Sequence, residues 1–131
     1  MGIFKKNIFA SAENEKQSDS TSFWINLKDL GQINEIITIS EEKPVVIFKH
    51  STRCSVSRMT LKQFENEFKL QDKMDAYFLD LIENRDISNE IALKFEVVHQ
   101  SPQLLLIKNG KCIYNISHSD IDAVFLNQFL D

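Results

Sequence analysis

The chain has 131 residues, 43% hydrophobic and 26% charged, which suits one globular domain with a real core and leaves no room for two. Its net charge of −4, pI near 5.4 and scattered basic residues give no electrostatic reason to expect nucleic-acid binding. No apolar run approaches the roughly 18–20 residues that cross a bilayer. The start around Lys5 and Lys6 lacks a signal-peptide apolar segment, and Lys6 stands where a myristoylation site after Gly2 needs Ser or Thr. The expected address is therefore the cytoplasm, with neither nucleic acid nor membrane as partner.

Residues 1–21 are rich in Ser, Glu, Lys, Asn, Gln and Asp and read as a weakly ordered tail, leaving 22–131 as the folded domain. Phe23 to Leu27 reads as a short strand. Asp29 is placed to cap a helix whose apolar positions are Leu30, Ile33, Ile36 and Ile37. After Pro44 an unbroken apolar run opens the strand Val45 to Lys49, the pattern of a strand buried on both faces. A helix follows over about Cys54 to Phe68, with Val56, Met59, Leu61, Phe64 and Phe68 expected as its inward stripe.

Ala76 to Ile82 is a second central strand, with Asp80 near its end expected to be solvated or hydrogen-bonded. Ile87 to Phe95 then reads as a helix whose inward face uses Ile87, Ile91 and either Leu93 or Phe95. A strand at Gln103 to Lys108 turns through Asn109-Gly110, a strong signal for a type I′ hairpin, into Lys111 to Ile116. Ser119 is placed to cap a last helix with Ile121, Val124, Phe125 and Phe129 inward. The order β-α-β-α-β-α-β-β-α predicts an α/β fold, a mixed sheet with helices on both faces.

The chemistry concentrates at Cys54. It lies where the buried strand gives way to a helix, so its thiol meets orphan backbone N–H groups and the positive end of the helix dipole. A thiol there loses its proton more easily than a free one, and Arg53 and Arg58 add charge of the helpful sign. The polar setting of Ser51, Thr52 and Ser55 argues against an inert buried thiol. The second cysteine, Cys112, is 58 positions away and reads as a packing residue in a hairpin strand. Two cysteines so far apart make a poor zinc site. His50 and His99 read as partly exposed loop residues flanking the site.

Three segments together, Lys49-His50-Ser51-Thr52-Arg53-Cys54-Ser55-Val56-Ser57, Glu83-Asn84-Arg85-Asp86 and His99-Gln100-Ser101-Pro102-Gln103, resemble the monothiol bacilliredoxin family over residues 23 to 130. The resemblance implies a thioredoxin-like fold. It also implies an oxidoreductase that removes bacillithiol, a low-molecular-weight thiol, from mixed disulfides on client proteins. By position, Cys54 would be the attacking thiol, with Arg53 and Ser57 stabilising its thiolate. Ser57 would stand where a dithiol motif has its second cysteine. Pro102 would be a cis-proline that, with Ser101 and Thr52, binds substrate. The family pattern has a proline after the cysteine, and this chain has Ser55. No organic cofactor is implied, since the cysteine itself changes redox state. Two other readings remain open at this level, a non-catalytic binding or sensing module and an iron–sulfur carrier like the monothiol glutaredoxins.

Overall fold

The structure is a computed structural model, and it describes residues 23–130. The tail expected over residues 1–21 lies outside the described residues. Five strands form one sheet: β1 (Trp24–Asn26), β2 (Val45–His50), β3 (Asp75–Asp80), β4 (Gln103–Lys108) and β5 (Lys111–Ser117). Their spatial order is β1-β3-β2-β4-β5. β3 runs parallel to β1 and β2, whereas β4 is antiparallel to β2 and β5, so the sheet is mixed as expected. The parallel pairs need crossovers, which α1 (Gly31–Ile39) and α2 (Ser55–Glu67) supply. The helix α3 (Arg85–Lys94) links β3 to β4.

Side chains alternate across a strand, so β2 feeds two cores at once. Val45 and Ile47 join Ile33, Ile36, Ile87 and Ile91 beneath α1 and α3. Val46 and Phe48 join Phe64, Phe68 and Leu126 beneath α2 and the chain's C-terminal end. All six residues of β2 are buried, the last two included. Continuing the alternation puts Lys49 on the α1/α3 face and His50 on the α2 face. Trp24 closes the edge of the second core, stacked on Phe64 and edge-on to Phe48.

Several local signals act as anticipated. The Asp29 carboxylate accepts the Gly31 N–H at 3.0 Å, and Gln32 Oε1 reaches back to the N–H groups of Lys28 and Asp29. Asn109 and Gly110 both have positive φ, 53° and 78°, as a type I′ turn demands. Ser40 grips that turn: its carbonyl accepts from Asn109 N–H and its hydroxyl from Gly110 N–H, each at 2.8 Å. Of the two candidates on α3, Phe95 is the buried one and Leu93 is exposed.

Two expectations require correction. The inward stripe of α2 is Ser57, Thr60, Phe64 and Phe68, with Leu61 partly covered, while Val56 and Met59 are 41% and 72% exposed. Helix geometry explains it. At about 100° per residue, Phe64 carries Ser57, Thr60, Leu61 and Phe68 on its own side and sends Met59 to the opposite one. The final element is not an α-helix but two 3-10 stretches, His118–Asp120 and Val124–Phe129. Asp122 Oδ1 accepts the Val124 N–H at 2.9 Å. Ile121 is buried as expected, and the other residues turned inward are Ala123, Leu126 and, in part, Phe129, spaced by the three residues of a 3-10 turn. Val124 and Phe125 face outward.

Candidate active site

β2 ends at His50, and the next four residues make the site loop. Cys54 N–H donates to Ser51 O at 3.2 Å, closing a tight turn over Thr52 and Arg53, both exposed. Arg58, one turn into α2, folds back and donates from Nη1 to Thr52 O at 3.0 Å, so the guanidinium braces the loop from outside. Cys54 itself is the N-cap of α2. Its backbone is extended (φ −112°, ψ 121°), and its carbonyl receives the first helical bond from Arg58 N–H. The thiol makes no capping hydrogen bond and is a free, half-buried group. It therefore stands at the mouth of a 13-residue helix whose first N–H groups have no intrahelical acceptor.

Below the loop, Ser57 is fully buried. Its Oγ accepts the Ser51 N–H at 3.0 Å and lies 2.8 Å from His50 Nδ1. This one hydroxyl thus ties the first turn of α2 to the end of β2. Among the described residues its hydrogen bonds go to His50 and Ser51 rather than to Cys54. His50 is not a partly exposed loop residue as the sequence suggested. It is the last residue of β2, 6% exposed, packed against Phe78. Burial holds its imidazole below the ordinary value, opposed by the nearby Asp80 and aided by Arg58. Asp80 is hydrogen-bonded, its Oδ1 accepting from Ile82 and Glu83 N–H.

On the other face, Lys49 is fully buried and has no carboxylate partner among the described residues. Its ammonium lies 3.2 Å from His99 Nδ1 and 3.5 Å from Ser88 O. An ammonium can only donate, so His99 must accept at Nδ1 and carry its proton on Nε2. Desolvation lowers Lys49 to about 8. Burial, Lys49 and Arg85 in turn hold His99 below its ordinary value. Lys49 was not singled out from the sequence. The signal was there, a lysine inside a run expected to be buried on both faces.

Lys49 pairs with Gln103 across β2 and β4, so the segment just before Gln103 emerges at the same end of the sheet as the Cys54 loop. That segment holds Ser101 and Pro102, joined by a cis peptide. Gln103 is fully buried and braces the approach to it, donating to Val98 O and accepting from Gln100 N–H. Pro102 O accepts the His118 N–H at 2.9 Å. Ser101 Oγ is buried and has no hydrogen-bond partner among the described residues.

Cys112 is elsewhere. It pairs with Ile107, which pairs with Val45 at the start of β2. Cys54 lies beyond the other end of that strand, roughly 17 Å away by the rise of six extended residues. A disulfide needs Cα atoms within about 7 Å, so Cys112 cannot resolve a bond formed at Cys54. Burial also pushes the Cys112 thiol up, partly offset by the backbone of Tyr114 and Leu106. Among the described residues no cluster of three or more His, Cys, Asp or Glu is placed to hold a metal ion, and no helix is long and apolar enough to cross a membrane.

The fold recurs in solved structures. A thioredoxin-fold protein, assigned provisionally as an oxidoreductase, is 34% identical; the match covers 83% of this chain and 95% of that one, with a TM-score of 0.71. Mitochondrial thioredoxin 3 of Saccharomyces cerevisiae is 20% identical over 85% of this chain and 96% of its own, with a TM-score of 0.65. Malassezia sympodialis thioredoxin is 23% identical over 79% and 84%, at 0.62. The last two share the fold alone. The family model for monothiol bacilliredoxin BrxC matches residues 25–126, a span that holds every strand from the site loop to the hairpin. With one cysteine at the helix mouth, a serine one turn on and the thioredoxin-like sheet beneath them, the chain belongs to the monothiol bacilliredoxin family of thioredoxin-like oxidoreductases.

Proposed function

We propose that this protein takes a low-molecular-weight thiol, bacillithiol or one like it, off client proteins by thiol–disulfide exchange at Cys54. The carrying observation is that its two cysteines sit at opposite ends of the sheet. A thiol that attacks and has no neighbour to displace it must end its turn capped. The Cys54 thiolate attacks the small-thiol sulfur of the client's mixed disulfide, a new S–S bond forms, and the old one breaks. The client leaves as a thiolate and takes a proton from water. A second, external thiolate then attacks the same sulfur and releases Cys54.

The remaining site residues fit this scheme. Arg53, exposed and next to Cys54 in the chain, adds positive charge to the site loop. Ser57 lies one helical turn on, on the side facing the strand. Ser101, whose hydroxyl has no partner among the described residues, and the backbone at Thr52 offer polar contacts to an extended client segment, with the cis-proline Pro102 beside them. A reducing cytoplasm, where both cysteines stay free, suits the role.

The test is transfer from a defined client carrying bacillithiol, with glutathione as the comparison cap. The reading expects the client to emerge as free thiol while the small thiol appears on Cys54, and Cys54→Ser to abolish transfer. A client that keeps its cap in the presence of the intact protein would overturn it and favour a binding or sensing module.

A further inference from the structure

Two fully buried polar side chains share one face of the sheet at the end nearest Cys54, Lys49 on β2 and its register partner Gln103 on β4. Two residues after Lys49 the site loop opens at Ser51, and two residues before Gln103 stands Ser101. Both side chains reach into the loop that follows α3. Gln103 Nε2 donates to Val98 O at 3.0 Å, and its Oε1 accepts the Gln100 N–H at 3.3 Å. Between those points Lys49 Nζ donates to His99 Nδ1 at 3.2 Å, and Ser88 Oγ from α3 lies 3.4 Å from the same nitrogen. Three consecutive residues are therefore held from below, although Val98 and His99 lie at the surface.

Ser101 is the next residue, and it stands outside this net. Neither its backbone nor its hydroxyl has a hydrogen-bond partner among the described residues. On its far side Pro102 O is tied to His118 N–H at 2.9 Å, and His118–Asp120 packs against α2, the helix that Cys54 caps. An unpaired backbone N–H and C=O are thus held between two fixed points beside the site loop. Lys49 does not serve stability there. An ammonium buried against neutral acceptors costs more than an apolar side chain of similar shape. What it supplies is direction, an N–H aimed at one ring nitrogen of a surface loop.

We propose that Lys49 is a positioning residue for client recognition, which through His99 fixes the 98–100 loop and so sets how Ser101 presents its unpaired backbone to an extended peptide. This rests on the client-exchange role of Cys54 given above and names the part of the site that reads the client's backbone. A peptide running past Ser101 pairs its own N–H and C=O there, as an added strand pairs with a sheet edge. A small disulfide without peptide groups has nothing to pair, so it reacts at Cys54 without help from Lys49.

The experiment uses the full chain, reduced, with two substrates carrying the same cap. One is an extended peptide whose single cysteine is capped with mercaptoethanol, and the other is hydroxyethyl disulfide. In both, the Cys54 thiolate attacks a mercaptoethanol sulfur, the same S–S adduct forms on Cys54, and either the peptide or mercaptoethanol leaves as thiolate. The rate of that adduct is read by intact mass. Lys49→Met should slow the peptide reaction roughly fivefold, the worth of one hydrogen bond, and leave the small disulfide unchanged. His99→Leu, at an exposed position, should do the same, and His99→Asn, which keeps an acceptor oxygen, should stay close to wild type. The Lys49→Met/His99→Leu double variant should be no slower than either single, because both remove one contact. A peptide methylated on the amides flanking its cysteine should react equally with wild type and variants. A parallel fall on both substrates, additive losses in the double variant, or an unchanged peptide rate overturns the proposal and leaves the client-exchange reading standing. Wild type that takes the cap from the small disulfide and never from the peptide overturns both.

Discussion

Replacing Lys49 with methionine should make the protein more stable at neutral pH and less stable in strong base. Lys49 is fully buried, without a carboxylate partner among the described residues, and lowered from 10.5 to about 8 by desolvation. A folded pKa below the unfolded one means that the unfolded chain binds more protons between those two values, so stability rises with pH across that window. Below about pH 8 the penalty is fully felt. At 1.36 kcal/mol per unit it is roughly 3 kcal/mol, and it vanishes above pH 10.5. Methionine fills a similar unbranched volume and removes the penalty. It also loses the contacts to His99 Nδ1 and Ser88 O, about 1 kcal/mol each. The net expectation is a variant about 1 kcal/mol more stable at pH 7, equal to wild type near pH 9, and about 2 kcal/mol less stable at pH 10.5. Urea unfolding of both proteins at four or five pH values measures this directly, since the other lysines and tyrosines cancel in the difference. A stability difference that stays constant from pH 7 to pH 10.5 would refute the buried-cation argument.

Ser55→Pro should stabilise the fold. Proline suits the first position of a helix, and Cys54 before it already has the extended backbone that a following proline requires. A gain of roughly 0.4–1 kcal/mol, read as a Tm about 2–5 °C higher, is expected; a lower Tm would show that the Ser55 N–H is needed. Gly110→Ala should cost about 1 kcal/mol in chemical denaturation, because φ is +78° there while the added Cβ meets Ile37 only at an ordinary 3.5 Å. An unchanged midpoint would mean that the hairpin relaxes to another turn. Glu65 is raised by burial, against the lowering effect of its 2.7 Å hydrogen bond from Trp24 Nε1. Its raised pKa makes the folded state favour protonation, so Glu65→Gln should gain stability over wild type as pH rises from 4 to 7. Trp24 fluorescence during unfolding reports this, and a difference that shrinks with pH would contradict it.

The sheet was legible because its central strands are unbroken apolar runs and its hairpin carries an Asn-Gly turn. Cys54 was legible because polar residues interrupt an apolar strand just before an amphipathic helix. What escaped was pairing at a distance. Lys49 could be placed as buried from its run alone, yet its partner His99 is 50 residues on, and no local pattern joins them. His50 and Ser57 were both in view, but only the loop's actual turn brings their side chains together. The buried stripe of α2 does not follow apolar character. Small hydroxyl residues, Ser57 and Thr60, fill the narrow space where the helix starts against the strand, and Met59 is left outside. At the C-terminus, the positions of Ala123, Leu126 and Phe129 already had a three-residue spacing, which a search for 3.6-residue periodicity passes over.

On the proposed mechanism, Cys54 alone carries the exchange and is left capped by it. Intact-mass and peptide mapping after one turnover with a capped client test it most directly. A single small-thiol adduct on Cys54, the same yield in Cys112→Ser, and no internal disulfide are expected. An adduct that moves to Cys112, or a Cys54–Cys112 bond formed as the small thiol departs, would contradict it.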